Sequence, residues 1–373
     1  MRFTIKREEF LKGLNTASRA VSNKVAMPVL ENLKLELTDR GLFITGSNLD
    51  ITIKTQVPYK LGETEVIRNY KEGATLVKAK LLTDIVRSID SDEITLDVID
   101  STNAVITNNR SKFRLNCVRV DEYLDIDLEA SGTELTLSAN DFNTLVNQTA
   151  FAASTKEQRP VLTAVNLEAR DGLLTAIATD SYRMAKKTLS IPLGIDFSAN
   201  VPARMLIQVS HLLEEKDEIQ ITFSDKKALF IIGTTIIATR LIAGDYPNTK
   251  NIIPKITNCT LEVNAQDLMK AIERANLLSI DRQNVVNLTM SEESVNISAA
   301  SRQVGSADES IEPFKYNGPN LKVSFNSEFV LAAIRALGSD DVTFAFVAEM
   351  KPFIVENASD DSAIQVVTPV HPY

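Results

Sequence analysis

The sequence predicts an α+β chain made of three copies of one domain, each with two helices and antiparallel sheets. Three observations carry this. First, the segment Met27-Pro28-Val29-Leu30-Glu31-Asn32-Leu33 returns as Arg159-Pro160-Val161-Leu162-Thr163-Ala164-Val165 and as Gln283-Asn284-Val285-Val286-Asn287-Leu288. Val29, Val161 and Val285 are 132 and 124 residues apart in a chain of 373. A period of this size means one fold used repeatedly. Second, each copy runs strand, helix, strands, and then the same again. Third, runs such as Leu33-Lys34-Leu35-Glu36-Leu37 and Val295-Asn296-Ile297-Ser298 alternate apolar and polar residues, as half-buried strands do.

Each copy opens with a short strand, Phe3-Thr4-Ile5, Leu135-Thr136-Leu137 or Leu261-Glu262-Val263. An amphipathic helix follows, with Phe10, Leu14 and Val21 in copy one, Phe142, Leu145 and Val146 in copy two, and Leu268, Ile272 and Ala275 in copy three. Apolar residues three and four apart make one helix face. A second strand starts near Thr75, Ala199 and Lys322. Its helix carries Leu81-Leu82-Ile85-Val86, Met205-Leu206-Val209 and Phe329-Val330-Ala333-Ile334. Further strands close each copy, for example Glu93–Val98, Ile219–Phe223 and Val342–Phe346. The boundaries this suggests are 1–128, 129–254 and 255–373. Copies of that size can each bury a core.

Composition narrows the class. The residues are 44% apolar and 24% charged, with no Trp and 13 Gly. The first residues, Met1-Arg2-Phe3-Thr4-Ile5-Lys6-Arg7, lack the apolar stretch of a signal peptide. Ala228–Ala243 is interrupted by Thr234, Thr235 and Arg240, so it reads as two strands turning near Gly233 rather than a membrane span. Cys117 and Cys259 fall in different copies and read as buried apolar fillers of a reduced, cytoplasmic protein.

Net charge is −9, which on totals argues against nucleic acid. The distribution argues otherwise. Lys12 and Arg19 are seven apart on the first helix of copy one, as are Lys80 and Arg87 on its second, so each pair shares a helix face. Arg204 and His211 repeat the spacing in copy two, Lys270 and Arg274 lie four apart in copy three, and Arg335 follows Glu328 by seven. Arg87, His211 and Arg335 are spaced by 124 each time, one structural position used three times. Asn143, Asn147 and Gln148 make the first helix of copy two polar but uncharged. Acidic residues gather instead at Asp121-Glu122, Asp125-Asp127-Glu129, Glu214–Glu218, Asp308-Glu309 and Asp360-Asp361. Helices presenting Lys and Arg to one side would bind phosphates without reading sequence.

No catalytic constellation emerges, and no catalytic residue, cofactor or metal is expected. The two histidines, His211 and His371, stand apart from each other and from both cysteines. No zinc spacing, phosphate loop or nucleophile elbow occurs. Asp180, in Ala178-Thr179-Asp180-Ser181-Tyr182-Arg183, stands opposite Leu49 and Arg302 when the copies are aligned, and so looks peculiar to copy two. Asp125 and Asp127 read as a solvated loop rather than a metal pair.

Several segments resemble the bacterial DNA polymerase III beta subunits, the sliding clamps, over the whole length. They are Met1-Arg2-Phe3-Thr4-Ile5 with Leu11 and Leu14, Pro28–Leu33, Ala178–Ala185, Gly244-Asp245-Tyr246-Pro247 with Ile252-Ile253-Pro254, Lys351-Pro352-Phe353-Ile354, and Val370–Tyr373. The resemblance implies two chains joined head to tail in a ring of six domains, helices lining the hole, sheets outside, and duplex DNA threaded through. It adds Lys24 to the DNA-facing set of Lys12, Arg19, Lys80, Arg87, Arg204, Lys270, Arg274 and Arg335. It implies a pocket for partner peptides walled by Leu162, Thr179, Ser181, Tyr182, Arg183, Met184, Pro247, Ile252, Pro352, Val366, Val367, Thr368, Pro369 and Val370. Many members have Gly-His where this chain has Ser181-Tyr182. It places Phe113 and Leu115 against Leu277 and Leu278 of the second chain. Expected partners are double-stranded DNA, a second copy of the chain, the replicative polymerase alpha-type subunit, the clamp loader and other clamp-motif proteins of replication and repair. No membrane partner is expected, and the setting is the bacterial cytoplasm at the nucleoid. The alternative is a triplicated scaffold that binds only proteins.

Overall fold

The computed structural model describes residues 1–22, 27–100, 102–129, 131–279, 284–301 and 303–371. Copy one begins with β1 (Arg2–Lys6) and α1 (Arg7–Ser18), then β2 (Asn32–Thr38), β3 (Gly41–Ser47) and β4 (Ile51–Val57). A small hairpin, β5 (Lys60–Leu61) and β6 (Thr64–Glu65), leads to β7 (Ile67–Lys71). The second half is β8 (Gly73–Lys78), α2 (Ala79–Ser88), β9 (Glu93–Asp100), β10 (Asn103–Thr107) and β11 (Lys112–Val118). Copy two is β12 (Thr133–Ser138), α3 (Ala139–Thr149), β13 (Ala164–Arg170), β14 (Leu173–Thr179) and β15 (Arg183–Ser190). It continues with β16 (Phe197–Pro202), α4 (Ala203–Ser210), β17 (Glu218–Phe223), β18 (Lys227–Ile232) and β19 (Thr235–Arg240). Copy three is β20 (Cys259–Asn264), α5 (Ala265–Asn276), β21 (Val285–Met290), β22 (Val295–Ser301), β23 (Gly305–Ile311) and β24 (Lys315–Asn317). It ends with β25 (Leu321–Asn326), α6 (Ser327–Leu337), β26 (Asp341–Phe346), β27 (Phe353–Asn357) and β28 (Asp360–Val367).

The chain forms two compact units. One holds Met1–Ala139 and Gln208–Leu241, the other Asn140–Ile207 and Ile242–Tyr373. Copy two therefore gives one half to each. In the first unit β19 pairs antiparallel with β4, which extends the copy-one sheet into a continuous one from β12 to β7. In the second, β15 pairs with β28 in the same way. Strand edges that would otherwise expose unpaired amides are thus closed by another copy.

The helices form where the sequence places them, except that α1 ends at Ser18 and leaves Val21 beyond it, and their apolar stripes face the sheets. Phe10, Leu14 and Ala17 of α1 are fully buried, as are Ile272 and Ala275 of α5. Each large side chain so buried is worth about 1.5–3 kcal/mol. Leu81 departs from its expected place on the apolar face: Leu82 and Val86 of α2 are buried, whereas Leu81 is exposed. In copy three the structure shows side-chain N-caps: Asn264 accepts from the amides of Gln266 and Asp267, and Asn326 from those of Glu328 and Phe329. Gly46 lets β3 approach α1, since a Cβ there would lie 2.3 Å from the Ala17 carbonyl oxygen. The turn at Gly233 joins β18 to β19 as expected, with φ at 52°.

Two readings of the sequence change here. Asn32, Ala164 and Val285 all pair with the residue just before the second helix, namely Lys78, Pro202 and Asn326. Val285 therefore corresponds to Ala164, three residues beyond Val161. Spacing alone hid this because copy three is shorter between α5 and β21. Gln148, read with Asn143 and Asn147 as making its helix polar but uncharged, is buried, and its backbone carbonyl accepts from Gln365 Nε2 at 3.0 Å.

A buried lysine fastens the β15–β28 joint. Lys187 donates to Asp360 Oδ2 at 3.0 Å and to Ser362 Oγ at 2.6 Å, and is only 5% exposed. Hydrogen bonding from the Ser362 hydroxyl, aided by Lys187, holds the Asp360 carboxyl below its ordinary value of 3.8. The carboxylate's contribution is therefore complete above pH 3.8 and is lost as pH falls through the lower folded value. Asp360→Asn should cost about 2–3 kcal/mol at pH 7, because a buried ammonium loses its counter-ion. Thermal melts across pH should show the wild-type advantage shrinking toward strong acid.

Candidate functional site

Two regions gather the functional candidates. The first is the turn between β14 and β15 with the end of β28. Thr179 Oγ1 donates to the Arg183 carbonyl at 2.6 Å and accepts from the Ser181 amide at 3.1 Å. Asp180 Oδ1 accepts from the amides of Tyr182 and Arg183 at 2.9 and 3.0 Å, and its Oδ2 accepts from Arg183 Nε at 3.0 Å. The Arg183 guanidinium lies over the rings of Phe151 and Phe329, 5.5 and 4.7 Å from their centroids. Ser181 is thereby held at φ 79°, a left-handed conformation in which glycine has no steric cost.

This turn organises its surroundings. The Tyr182 carbonyl accepts from the Thr368 amide at 2.9 Å and from its hydroxyl at 2.7 Å, and the Val370 amide reaches the Ser324 carbonyl at 2.8 Å. The Thr179 amide donates to the Tyr246 hydroxyl at 3.0 Å. Burial pushes the Tyr246 phenol up to about 12. Tyr182 is 61% exposed beside these pinned segments.

Of the fourteen pocket candidates, the structure ties Thr179, Ser181, Tyr182, Arg183 and Thr368 directly together. Strand pairing places Met184 beside Val366 and Arg183 beside Val367. Leu162, Met184, Val366 and Val367 are buried, and Val367 belongs to the core under β27 and β28. Pro352, Pro369, Val370 and Ile252 are half-buried and Pro247 is exposed, on segments outside the regular strands. Sequence reasoning did not find Phe151, Phe329 or Tyr246, because their roles rest on contacts made far along the chain.

Asp180 is not peculiar to copy two. Asn48 Oδ1 accepts from the amides of Asp50 and Ile51, Ser47 Oγ donates to the Ile51 carbonyl, and Leu49 has φ 79°. Asn48, not Leu49, is therefore the counterpart of Asp180, and Arg302 lies outside the described residues. The copy-one turn borders a cavity of about 350 Å³ that also meets Leu124–Asp127. Its wall has Thr52, Ala238 and Thr239 where the second unit has Met184, Val366 and Val367. The counterpart is thus polar where the candidate pocket is apolar.

The remaining candidates lie on the polar sides of the helices, taken separately in each unit. α1 and α2 lie together, with Arg87 Nη2 donating to Asn15 Oδ1 at 3.1 Å. α5 and α6 are joined by Arg335 and Glu273. Lys12, Arg19, Lys80, Arg87, Arg204, Lys270, Arg274 and Arg335 are all exposed, and Lys24 lies outside the described residues. Carboxylates moderate these cations within each unit. Lys12 is 3.7 Å from Glu214, Arg87 is 3.0 Å from Asp84, and Arg274 grips Glu309 through Nε and Nη2 at 2.9 and 2.7 Å. The expected interface residues divide: Leu115 is buried and Phe113 packs on the same core, while Leu277 is 70% exposed and Leu278 half-buried. Asp127, read as loop, is bound by Lys227 Nζ at 2.7 Å. Among the described residues no cluster of three or more His, Cys, Asp or Glu could hold a metal.

Three family models match the chain in order. They are the N-terminal domain of the DNA polymerase III beta subunit at residues 1–127, its central domain at 136–248 and its C-terminal domain at 250–371. The chain belongs to the DNA polymerase III beta subunits, the beta sliding clamps. A beta sliding clamp of Staphylococcus epidermidis is 32% identical, with both chains covered in full. The sliding clamp structure from Bacillus subtilis superposes with a TM-score of 0.96 at 28% identity, again over the whole of both chains. A clamp from Pseudomonas aeruginosa bound to griselimycin gives 0.92 at 25% identity and full coverage. Beta sliding clamps are the non-catalytic processivity subunit of the polymerase. Among the described residues no helix is long and apolar enough to cross a membrane.

Asp180→Ala should lower stability by about 2–3 kcal/mol, because two backbone donors and a mostly buried guanidinium lose their acceptor. Asn48→Ala, which breaks the same turn without an ion pair, should cost about 1 kcal/mol. Denaturant midpoints at unchanged slope would measure both.

Proposed function

We propose that two of these chains close head to tail into a ring that encircles duplex DNA and tethers a replicative polymerase to it. The copies are bounded near 1–128, 129–254 and 255–373, a division supported by the three matched family models. One observation carries the ring: a matching pair of strand edges left over after the two internal joints form. Pairing registers make Thr52, Met184 and Ser306 equivalent in β4, β15 and β23. They likewise make Arg114, Ala238 and Val366 equivalent in β11, β19 and β28. Thr52 faces Ala238 and Met184 faces Val366. Among the described residues, β23 is an edge strand and β11 has no partner along Lys112–Asn116 opposite β10. The same register would set Ser306 of one chain against Arg114 of the next. On the core side Phe113 would meet Ala307, with exposed Leu277 at the end of α5 available to be covered. A head-to-tail contact of this kind closes when its rotation closes.

The basic helix faces support passage of DNA. Their cations are tempered by nearby carboxylates, which suits a surface that must hold phosphates loosely enough to slide. The Tyr182–Thr368 region supports a peptide pocket: a P. aeruginosa clamp carries griselimycin, and this chain has an apolar wall where its own copy-one counterpart has threonines. The polymerase, the clamp loader and other clamp-motif proteins would share that pocket.

Arg114→Cys with Ser306→Cys should cross-link neighbouring chains under mild oxidation. Cys117 and Cys259 are buried and their thiols are pushed up by burial, so they should not compete. Protein loaded on nicked circular DNA first and cross-linked afterwards should survive high salt and leave only when the circle is cut. Release from uncut circles would overturn encirclement. Lys12→Glu with Arg87→Glu should weaken duplex binding and reduce the salt slope by about one unit for each phosphate no longer neutralised. Unchanged binding and processivity would favour a protein-only scaffold.

A further inference from the structure

We propose that the open edge of β12 takes up an extended segment of a partner protein, with a basic side chain opposite Thr136 and a tyrosine next to it. β12 takes no part in the joints or the peptide pocket. The first strands of the other two copies are covered on both sides. β1 pairs with β9 on one side and β7 on the other, and β20 pairs with β26 and β24 in the same way. β12 pairs with β17, and among the described residues it ends its sheet. The covering strands come from one interval of the repeat: β7 lies between β4 and β8, and β24 between β23 and β25. In copy two the matching interval, between β15 and β16, is residues 191–196 and forms no strand. Copy two has the edge without the cover.

The registers fix which residues correspond. Lys6, Ser138 and Asn264 stand opposite Glu93, Glu218 and Asp341. Thr4, Thr136 and Glu262 are therefore one position, and Met1, Thr133 and Cys259 another. On the covering strands, Arg68 stands opposite Thr4 and Lys315 opposite Glu262. Tyr70 precedes Lys71, which faces Arg2, just as Tyr316 precedes Asn317, which faces Thr260. Each covering strand then runs into a glycine laid on the start of the first strand. A Cβ on Gly73 would lie 3.0 Å from that of Met1, and one on Gly318 would lie 2.7 Å from that of Cys259. Both covers thus present a basic residue, a tyrosine and a glycine in that order.

Copy two carries the receiving half of this arrangement. In copy one Arg68 reaches across β1 to the Glu93 carboxylate. Glu218 holds the Glu93 place, is exposed, and has no ion-pair partner among the described residues. In copy three Tyr316 lies opposite Leu261, with its hydroxyl 3.1 Å from Cys259 Sγ. Leu135 and Thr133 hold those two places in β12. Glu134 and Glu218 are exposed on one face of β12 and β17, which gives the face the sign that a basic segment requires. Backbone hydrogen bonds would supply affinity and the alternating side chains selection. A second copy's β12 would bring further carboxylates to the same face, so self-pairing is disfavoured.

The probe is a fluorescein-labelled peptide with the sequence of residues 312–319 of this chain, titrated with the full chain and read by anisotropy. It should bind saturably. Thr136→Pro removes an edge amide where an edge strand tolerates proline, and should weaken binding about tenfold. Glu218→Gln should weaken it about threefold. Lys315→Gln in the peptide should do the same with the wild-type chain and nothing with the Glu218→Gln chain. Peptide variants test the edge without altering the protein. In copy three the Phe314 amide donates to the Glu262 carbonyl at 2.9 Å, and Lys315 is opposite Glu262. A peptide methylated on those two amides should not bind, whereas one methylated on the Tyr316 amide, which alternates to the other side, should. No saturable binding of the unmodified peptide overturns the proposal. So does binding that Thr136→Pro and amide methylation leave unchanged, which would place the peptide elsewhere on the chain. Self-association beyond two chains, abolished by Thr136→Pro, would assign the edge to another copy and likewise overturn it.

Discussion

The constraint on which this architecture depends is the hydrogen-bonding demand of a sheet edge. A strand with one unpaired side exposes a row of amides and carbonyls, and such a row must be covered, charged or paired. Each copy ends its first half on one such edge, β4, β15 or β23, and its second half on another, β11, β19 or β28. β4 takes β19 and β15 takes β28. The division of copy two between two compact units follows directly. Its halves are each drawn into the sheet of a different copy, so cooperative units cut across the repeats.

The candidate pocket arises from this joint. Where β15 meets β28, the turn before β15 and the residues after β28 are brought side by side, and Tyr182 binds Thr368. The same joint in copy one brings together Leu49, Asp50, Thr239 and Arg240. One backbone geometry thus occurs twice with different side chains. Methionine and valines in one place and threonines in the other separate an apolar wall from a polar one, and only the first suits apolar anchors. Arg183, held by Asp180 and two phenylalanine rings, stiffens the turn beside that apolar wall.

Much of this is legible in the sequence. The threefold period, the strand–helix order and the buried faces of α1 and α5 follow from spacing and alternation, which are local and depend on burial. The exact equivalences are less legible. Spacing matches Val285 to Val161 rather than to Ala164 because a shortened connection before β21 shifts the count without altering the residues. It sets Asp180 against Leu49 rather than Asn48 because a carboxylate and an amide oxygen cap the same turn, a likeness of hydrogen bonding rather than of residue type. Gln148 reads as one of three uncharged polar residues on its helix, yet it is buried and its carbonyl is bonded to Gln365, 217 residues away. Contacts of that range leave no periodic trace. Charge patterning shows which helix faces carry cations, but not the carboxylates that temper them, since Glu214 and Glu309 arrive from distant segments.

The two internal joints have a further consequence for how such a chain could arise. Neither joint relies on the covalent link between the copies it unites: β4 and β19 lie far apart in sequence, and so do β15 and β28. The registers hold through backbone hydrogen bonds and through side chains as unlike as a threonine pair and a lysine–aspartate pair. Gene duplication and fusion could therefore have added copies to the polypeptide without inventing a new contact. The number of copies carried on one chain is then a record of its history, while the geometry of the joint is what selection had to preserve.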